Sequence, residues 1–188
     1  GENGGLYFWM EGGKLRRNFL QTIEERALNR TRLNEIQTKI LKRVPRAGIA
    51  TDQPFREIDL AIDFAEDVPD LSAQEVEEIV AVFREEGANA KVSSIHVNGW
   101  FGNFNKLTAC QKVAQKLWSV TIDDLKEKSI FCGDSPNDEP MFSWFTHSVG
   151  VANIRNFLDQ IQFPPTYITP SVGGYGFSEL IDRILSLR

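Results

Sequence analysis

The stretch Ser129-Ile130-Phe131-Cys132-Gly133-Asp134-Ser135-Pro136-Asn137-Asp138 runs from apolar residues straight into a turn crowded with oxygen-bearing side chains. Its first four residues are short and almost wholly apolar, the pattern of a parallel strand covered on both faces. Asp134 is the first charged residue after that strand, and in open α/β sheets ligands bind at the carboxyl ends of the strands. Magnesium takes hard oxygen ligands. It draws one or two carboxylates from the protein and fills the rest of its shell with water and phosphate oxygens. Asp134 is placed to be such a ligand; Asn137 and Asp138 could hold metal-bound waters or orient Asp134. A second reading is purely structural: Ser135 as a helix N-cap, Pro136 at the first helical position and Asp138 at the third make most of a capping box. Capping accounts for Ser135, Pro136 and one acid. It leaves Asp134 and the concentration of Asp134, Asn137 and Asp138 within five positions unexplained.

On either side of this stretch, helices alternate with short apolar strands. The pattern predicts helix over Leu107–Trp118 and Pro136–Phe145, strand over Ser148–Ala152, a short helix near Asn153–Gln160, and strand at Tyr167-Ile168. The glycines of Gly173-Gly174-Tyr175-Gly176 read as a flexible turn before a last helix, Phe177–Leu187; they form neither a G-x-G-x-x-G fingerprint nor a Walker loop. Strands alternating with helices imply a parallel sheet with helices on both faces.

The first half reads as a separate, smaller α/β unit. Leu6–Trp9 is a strand end and turn. Leu15, Phe19, Ile23, Leu33, Ile36 and Ile40 suggest one helix from Lys14 to about Lys42, with a break near Asn29 and a stop at Val44-Pro45. Glu57–Phe64 alternates as a half-buried strand. Ser72–Glu86 is a helix opened by a Ser72/Glu75 capping box and closed by Gly87. Ala90–Asn98 is a second strand. His96, Asn98 and Trp100 share a parity and lead toward Asn105 and Lys106. They are candidates to meet a sugar, amides bonding hydroxyls and the indole covering the ring. The alternative is a polar strand face that meets solvent.

Of 188 residues 41% are apolar and 25% charged, ordinary for a globular protein. No apolar run approaches the length of a membrane span, and no signal peptide is visible. Cys110 and Cys132 lack metal-ligand spacing and read as free thiols in a reducing cytosol, with a disulfide as the lesser reading. The net charge of −5 is uneven: Lys14–Arg46 holds ten Lys or Arg against three Glu, a net of +7, leaving −12 elsewhere. That stretch is either a solvated helix face or an attractor for an anionic partner. Without interleaved aromatics or a nucleic-acid motif, nucleic acid is disfavoured.

Gly133-Asp134-Ser135-Pro136-Asn137-Asp138, followed by Glu139-Pro140-Met141, resembles the last motif of the haloacid-dehalogenase-like (HAD) phosphatases. The similarity is to the branch with a large α/β cap, which includes sucrose-phosphate and mannosyl-3-phosphoglycerate phosphatases. Glu2-Asn3-Gly4-Gly5 is similar to the turn before the cap, Lys106 to the lysine motif, Val149–Asn153 to the strand after the acidic motif, and Gly174–Phe177 to the start of the terminal helix. The resemblance implies a partial Rossmann-like core with an inserted cap, divided as 1–13 (core), 14–103 (cap) and 104–188 (core). It implies a magnesium-dependent phosphomonoesterase acting on a sugar phosphate or phosphorylated glycoside through an aspartyl-phosphate. In it Asp134 is a metal ligand, Asn137 and Asp138 support it, and Lys106 pairs with the phosphate and the nucleophile. The family's DxDGT segment, with its nucleophile, has no counterpart in these residues. The expected partners are therefore a phosphorylated small molecule and either a complementary N-terminal fragment or a second copy. The alternatives are a phosphosugar mutase and a non-catalytic module using the basic stretch.

Overall fold

A computed structural model describes residues 1–187 of the chain. It divides into two compact units, Gly1–Ala109 and Cys110–Arg188.

The first unit opens with a hairpin, β1 (Leu6–Glu11) against β2 (Lys14–Phe19). Gly12 and Gly13 form its two-residue turn with φ of 56° and 72°, the left-handed pair a tight hairpin requires. This corrects the expectation of helix from Lys14. Helix α1 spans Ile23–Arg43 without a break at Asn29, and it starts where Thr22 and Glu25 form a complete capping box. Strands β3 (Gly48–Ile49), β4 (Leu60–Asp63), β5 (Asn89–Val92) and β6 (His96–Trp100) build an antiparallel sheet in the order β3-β4-β6-β5. The expected single strand at Ala90–Asn98 is thus a hairpin: Ser93 Oγ accepts from His96 N (3.0 Å) and closes the turn. Helix α2 (Ala73–Glu85) carries the expected Ser72/Glu75 box.

Leu60, Ile62 and Val97 face α1 and α2, packing on Leu33, Ile36 and Phe83. Gly99 lies so close to the Phe83 ring that no Cβ fits between them. The opposite face of β4 and β6 is polar yet covered. Asp59 and Asp63 are 0% and 1% exposed, so β4 is buried on both faces rather than half-buried. The basic stretch is matched by α2 and its flanks. Arg43 pairs with Glu78 and Glu85, Arg46 with Glu75, Lys39 with Glu86, and Arg17 and Arg26 with Glu57.

In the second unit, α3 (Lys106–Trp118, begun in the first) is followed by α4 (Ile122–Lys128), a helix absent from the sequence reading. Thr121 caps it by accepting from Asp124 N (3.1 Å). Strands β7 (Ile130–Gly133), β8 (His147–Gly150) and β9 (Tyr167–Ile168) form the expected parallel sheet, in the order β7-β8-β9. Helix α5 (Glu139–Trp144) follows β7 after a 3-10 turn, and a longer 3-10 segment occupies Ala152–Gln160. The last helix, α6, spans Gly173–Ser186, so the glycines expected in a flexible turn form its first turn. Among the described residues no helix is long and apolar enough to cross a membrane. Cys110 and Cys132 are half-buried free thiols.

Candidate functional site

In the second unit the site is built on the end of β7. Phe131 packs among Phe142, Ile154 and Ile161, anchoring the strand. Gly133 follows because a Cβ there would lie 2.6 Å from Asp138 Oδ2 and 2.9 Å from its Cβ. The chain then turns, and Asp134 is exposed at the carboxyl end of the strand. Its backbone N–H donates to Asp138 Oδ2 at 3.0 Å. Asp138 is 4% exposed and sits at the end of the 3-10 turn Pro136–Asp138, its own N–H donating to Ser135 O at 2.9 Å. Ser135 is the N-cap by position but its side chain makes no capping bond, so the capping box expected here is not formed. The Asp138 carboxylate is turned toward the backbone that carries Asp134 instead. Asn137 is half-buried between them in sequence.

The neighbouring strand ends are tied to this turn. Val151 N donates to Gly133 O (3.0 Å) and Ala152 N to Ser171 O (3.1 Å). Gly173 N donates to Asn153 Oδ1 (2.7 Å), which joins the Val149–Asn153 segment to the start of α6. The field at the strand end is negative. Burial pushes the Cys132 thiol above its ordinary pKa, and the charges of Asp138 and Asp134 push it further. A thiol kept protonated in this way is a poor nucleophile, whereas the same field favours a cation. Among the described residues no group of three His, Cys, Asp or Glu is placed to hold a metal ion. One exposed carboxylate with an amide beside it fits a hard, largely hydrated cation and not a closed protein cage.

In the first unit Lys106 is the first residue of α3 and half-buried. Asn105 caps that helix, its Oδ1 accepting from Thr108 N at 2.9 Å while Thr108 Oγ1 accepts from Asn105 N at 3.0 Å. Asn105 is therefore occupied as a cap. Trp100 is not an open aromatic surface. It is 4% exposed among Leu6, Ile58 and Phe104, and its Nε1 donates to Phe104 O (3.2 Å). It shares a face with His96 and Asn98, as the alternation predicted, but that end of the face is covered by the chain itself. His96 Nε2 lies 2.8 Å from Glu66 Oε2. Asn98 Oδ1 accepts from Arg56 Nη1 (3.3 Å), which also bonds Asp59 Oδ1 (3.1 Å).

Arg56 and Asp59 were not singled out by the sequence reading. The one signal was the alternation of Glu57–Phe64, which put Asp59 on the same side as Asp63. Burial raises the Asp59 carboxyl above its ordinary pKa, opposed by the Arg56 guanidinium. Asn3 Nδ2 donates to Asp59 Oδ2 (2.9 Å), and the Glu2 carboxylate accepts from the N–H groups of Glu57 (2.9 Å), Ile58 and Asp59 (3.1 Å). Glu2 and Asn3 thus fasten the chain to the start of β4.

No protein-family profile and no curated protein sequence matches the chain. Solved structures do. A Thermoplasma acidophilum protein superposes with a TM-score of 0.67 at 18% identity, over 97% of this chain and 69% of its own. A Streptococcus mutans UA159 protein gives 0.65 at 16% identity, over 98% and 75%. The sucrose-phosphatase of Synechocystis sp. PCC6803, solved with sucrose and phosphate, gives 0.54 at 20% identity, over 80% and 64%. Each of these chains is longer than the part this one covers. Together with the parallel sheet ending in Asp134 and the antiparallel sheet covered by two helices, these likenesses show that the chain has the HAD-like, Rossmann-type fold with an α/β cap.

Proposed function

We propose that this chain is the cap and acidic-motif portion of a magnesium-dependent HAD-type phosphomonoesterase acting on a sugar phosphate. The observation that carries the reading is the strand end itself: an exposed Asp134 whose N–H is held by the buried Asp138. Asp134 would be the direct carboxylate ligand of magnesium, Asn137 would hold metal-bound water, and Asp138 would fix the turn that aims Asp134. When bound, the metal supplies neutralisation of charge on the phosphoryl oxygens. Lys106, on the first unit, would offer a positive charge of its own to a phosphate. The nucleophilic aspartate would be supplied by residues outside these 188. The sugar assignment is supported by the fold shared with the Synechocystis sucrose-phosphatase.

The reading as a non-catalytic module that uses its basic stretch loses support, because six of the ten cations are paired with glutamates of the same unit. The mutase reading differs only in product. Protein from the complete reading frame, given a hexose phosphate and magnesium, should release inorganic phosphate. Conversion of the substrate to a positional isomer without phosphate release would favour the mutase, and no reaction with any hexose phosphate would contradict both.

A further inference from the structure

Residues 2–4 have left-handed backbone: Glu2 at φ 47°, Asn3 at 54° and Gly4 at 98°. Glycine takes such angles freely and asparagine at little cost, but for glutamate they are strained. The turn is closed by Gly4 N donating to Gly1 O and Gly5 N to Glu2 O, both at 3.0 Å. Strain of this kind persists only where the surroundings over-determine it. Here they do. Both oxygens of the Glu2 carboxylate are engaged by the residues that lead into β4, through the N–H groups of Glu57, Ile58 and Asp59. Asn3 Nδ2 donates to Asp59 Oδ2 (2.9 Å), and the buried Asp59 is held on its other oxygen by Arg56.

The same turn meets the helix that Lys106 begins. A Cβ on Gly4 would lie 2.4 Å from Asn105 O and 2.9 Å from Ala109 Cβ, so the Gly4 backbone rests directly on the first turn of α3. Asn105 O accepts from Ala109 N (3.0 Å), and the Asn105 side chain caps that helix. Leu6, beyond Gly4, shares a cluster with Phe104, before Asn105. Lys106 is within electrostatic reach of the turn as well. Burial lowers the pKa of the Gly1 amine, Glu2 and Asp59 oppose this, and the Lys106 charge adds to it. A side-chain cap fixes how a helix begins, not where it stands in the unit. Gly4 supplies that second constraint, and a residue with a Cβ could replace it only by moving Asn105.

We infer that the Glu2–Gly4 turn places Lys106: the Glu2 carboxylate clamps the turn to the residues leading into β4, and Gly4 of the same turn seats the backbone from which α3 and Lys106 start. Glu2 and Asn3 are positioning residues, acting on Lys106 through Gly4 and Asn105. The inference deepens the phosphatase reading and rests on it for the role of Lys106. A cation offered to a phosphoryl group helps only when aligned, and a misplacement of about 1 Å can cost about 10²-fold in rate.

Two measurements test it. NMR of the 188-residue protein follows the Lys106 amide and side-chain Cε–H resonances and the NOE from Gly4 Hα to the Ala109 methyl. Glu2→Gln keeps the size of the side chain and gives up one acceptor oxygen; it should weaken that NOE and shift both Lys106 resonances. Ser72→Ala removes the cap of α2 and should destabilise the protein while leaving them in place. The second measurement is phosphate release from a sugar phosphate by protein from the complete reading frame, for wild type, Glu2→Gln, Lys106→Met and the double variant. Glu2→Gln should lower kcat/KM roughly tenfold. In the Lys106→Met background it should cost less than about twofold, because residues that act through one another are not additive. An unchanged NOE with unchanged Lys106 resonances in Glu2→Gln overturns the inference. So does an equal loss in both backgrounds, or full activity in Glu2→Gln or Lys106→Met. Absence of phosphate release by the wild type would count against the phosphatase reading, and the NMR measurement would still decide whether the turn places Lys106.

Discussion

The Asp134 N–H donates to Asp138 Oδ2 at 3.0 Å, so the buried carboxylate of the strand end holds the backbone of the exposed one. Asp138→Ala leaves that N–H without its acceptor, at a cost of about 1–3 kcal/mol. In a chain of this size that lowers Tm by roughly 2–4 °C per kcal/mol. Magnesium affinity should fall about 10- to 100-fold, the usual result of removing a group that orients a ligand. Calorimetry and a magnesium titration of the variant check the two effects.

Gly133→Ala tests the same packing from the other side. The new methyl would lie 2.6–2.9 Å from three Asp138 side-chain atoms. Overpacking of this kind costs about 1–3 kcal/mol, and the Asp134–Asp138 hydrogen bond should lengthen. Denaturant unfolding measures the first and amide exchange at Asp134 the second. Gly99→Ala is the control in the first unit: it collides with the Phe83 ring, so it should destabilise the protein without changing exchange at Asp134.

Two buried acids on the polar face of the cap sheet give opposite pH signatures. For Asp63, burial acts to raise the pKa, but the N–H groups of Glu66, Asp67 and Ala65 prevail and lower it. A depressed folded value stabilises the protein above the unfolded pKa of about 3.9. That stability is lost as pH falls through the folded value. Asp63→Asn should therefore be less stable at neutral pH, and the gap should close under acid. Asp59 is raised by burial, so its folded form binds more protons than its unfolded form above that same pKa. Its contribution falls as pH rises from about 4 toward the folded value. Urea unfolding across acidic and neutral pH separates the two.

Among the described residues β7 pairs only with β8, and Ile130 at its start is 45% exposed. Beside it lies a cavity of about 490 Å³ lined by Ile130, Val149, Ile168, Leu180 and Ile184. An open, apolar strand edge invites pairing with another chain. The 188-residue protein alone should self-associate with rising concentration in sedimentation velocity, and Ile130→Lys should reduce that association.

The parallel sheet and the acidic turn were legible because a strand buried on both faces is an apolar run, and Gly133-Asp134 marks where it ends. The Ser72/Glu75 start of α2 was legible for a similarly local reason, a cap written within four residues. The β1–β2 hairpin was misread. Leu15, Phe19 and Ile23 fit a helical spacing, while Leu15, Arg17 and Phe19 fit a strand equally well; only Gly12-Gly13 and the Thr22/Glu25 box decide between them. Trp100 shows the limit of alternation, which assigns a face but not what covers it. Leu6 and Ile58, distant in sequence, do that. Arg56 was invisible for the same reason: Asn98, one of the side chains that orient it, lies 42 residues away.

Asp134 is proposed to serve a magnesium-dependent phosphoryl transfer. The direct measurement is phosphate release from a sugar phosphate by protein from the complete reading frame, wild type beside Asp134→Ala, with and without magnesium. Wild type should release phosphate only when magnesium is present, and Asp134→Ala should lose about 10²-fold or more of that release, as for a main charge-stabilising group. Equal release by the two proteins, or release indifferent to magnesium, would contradict it.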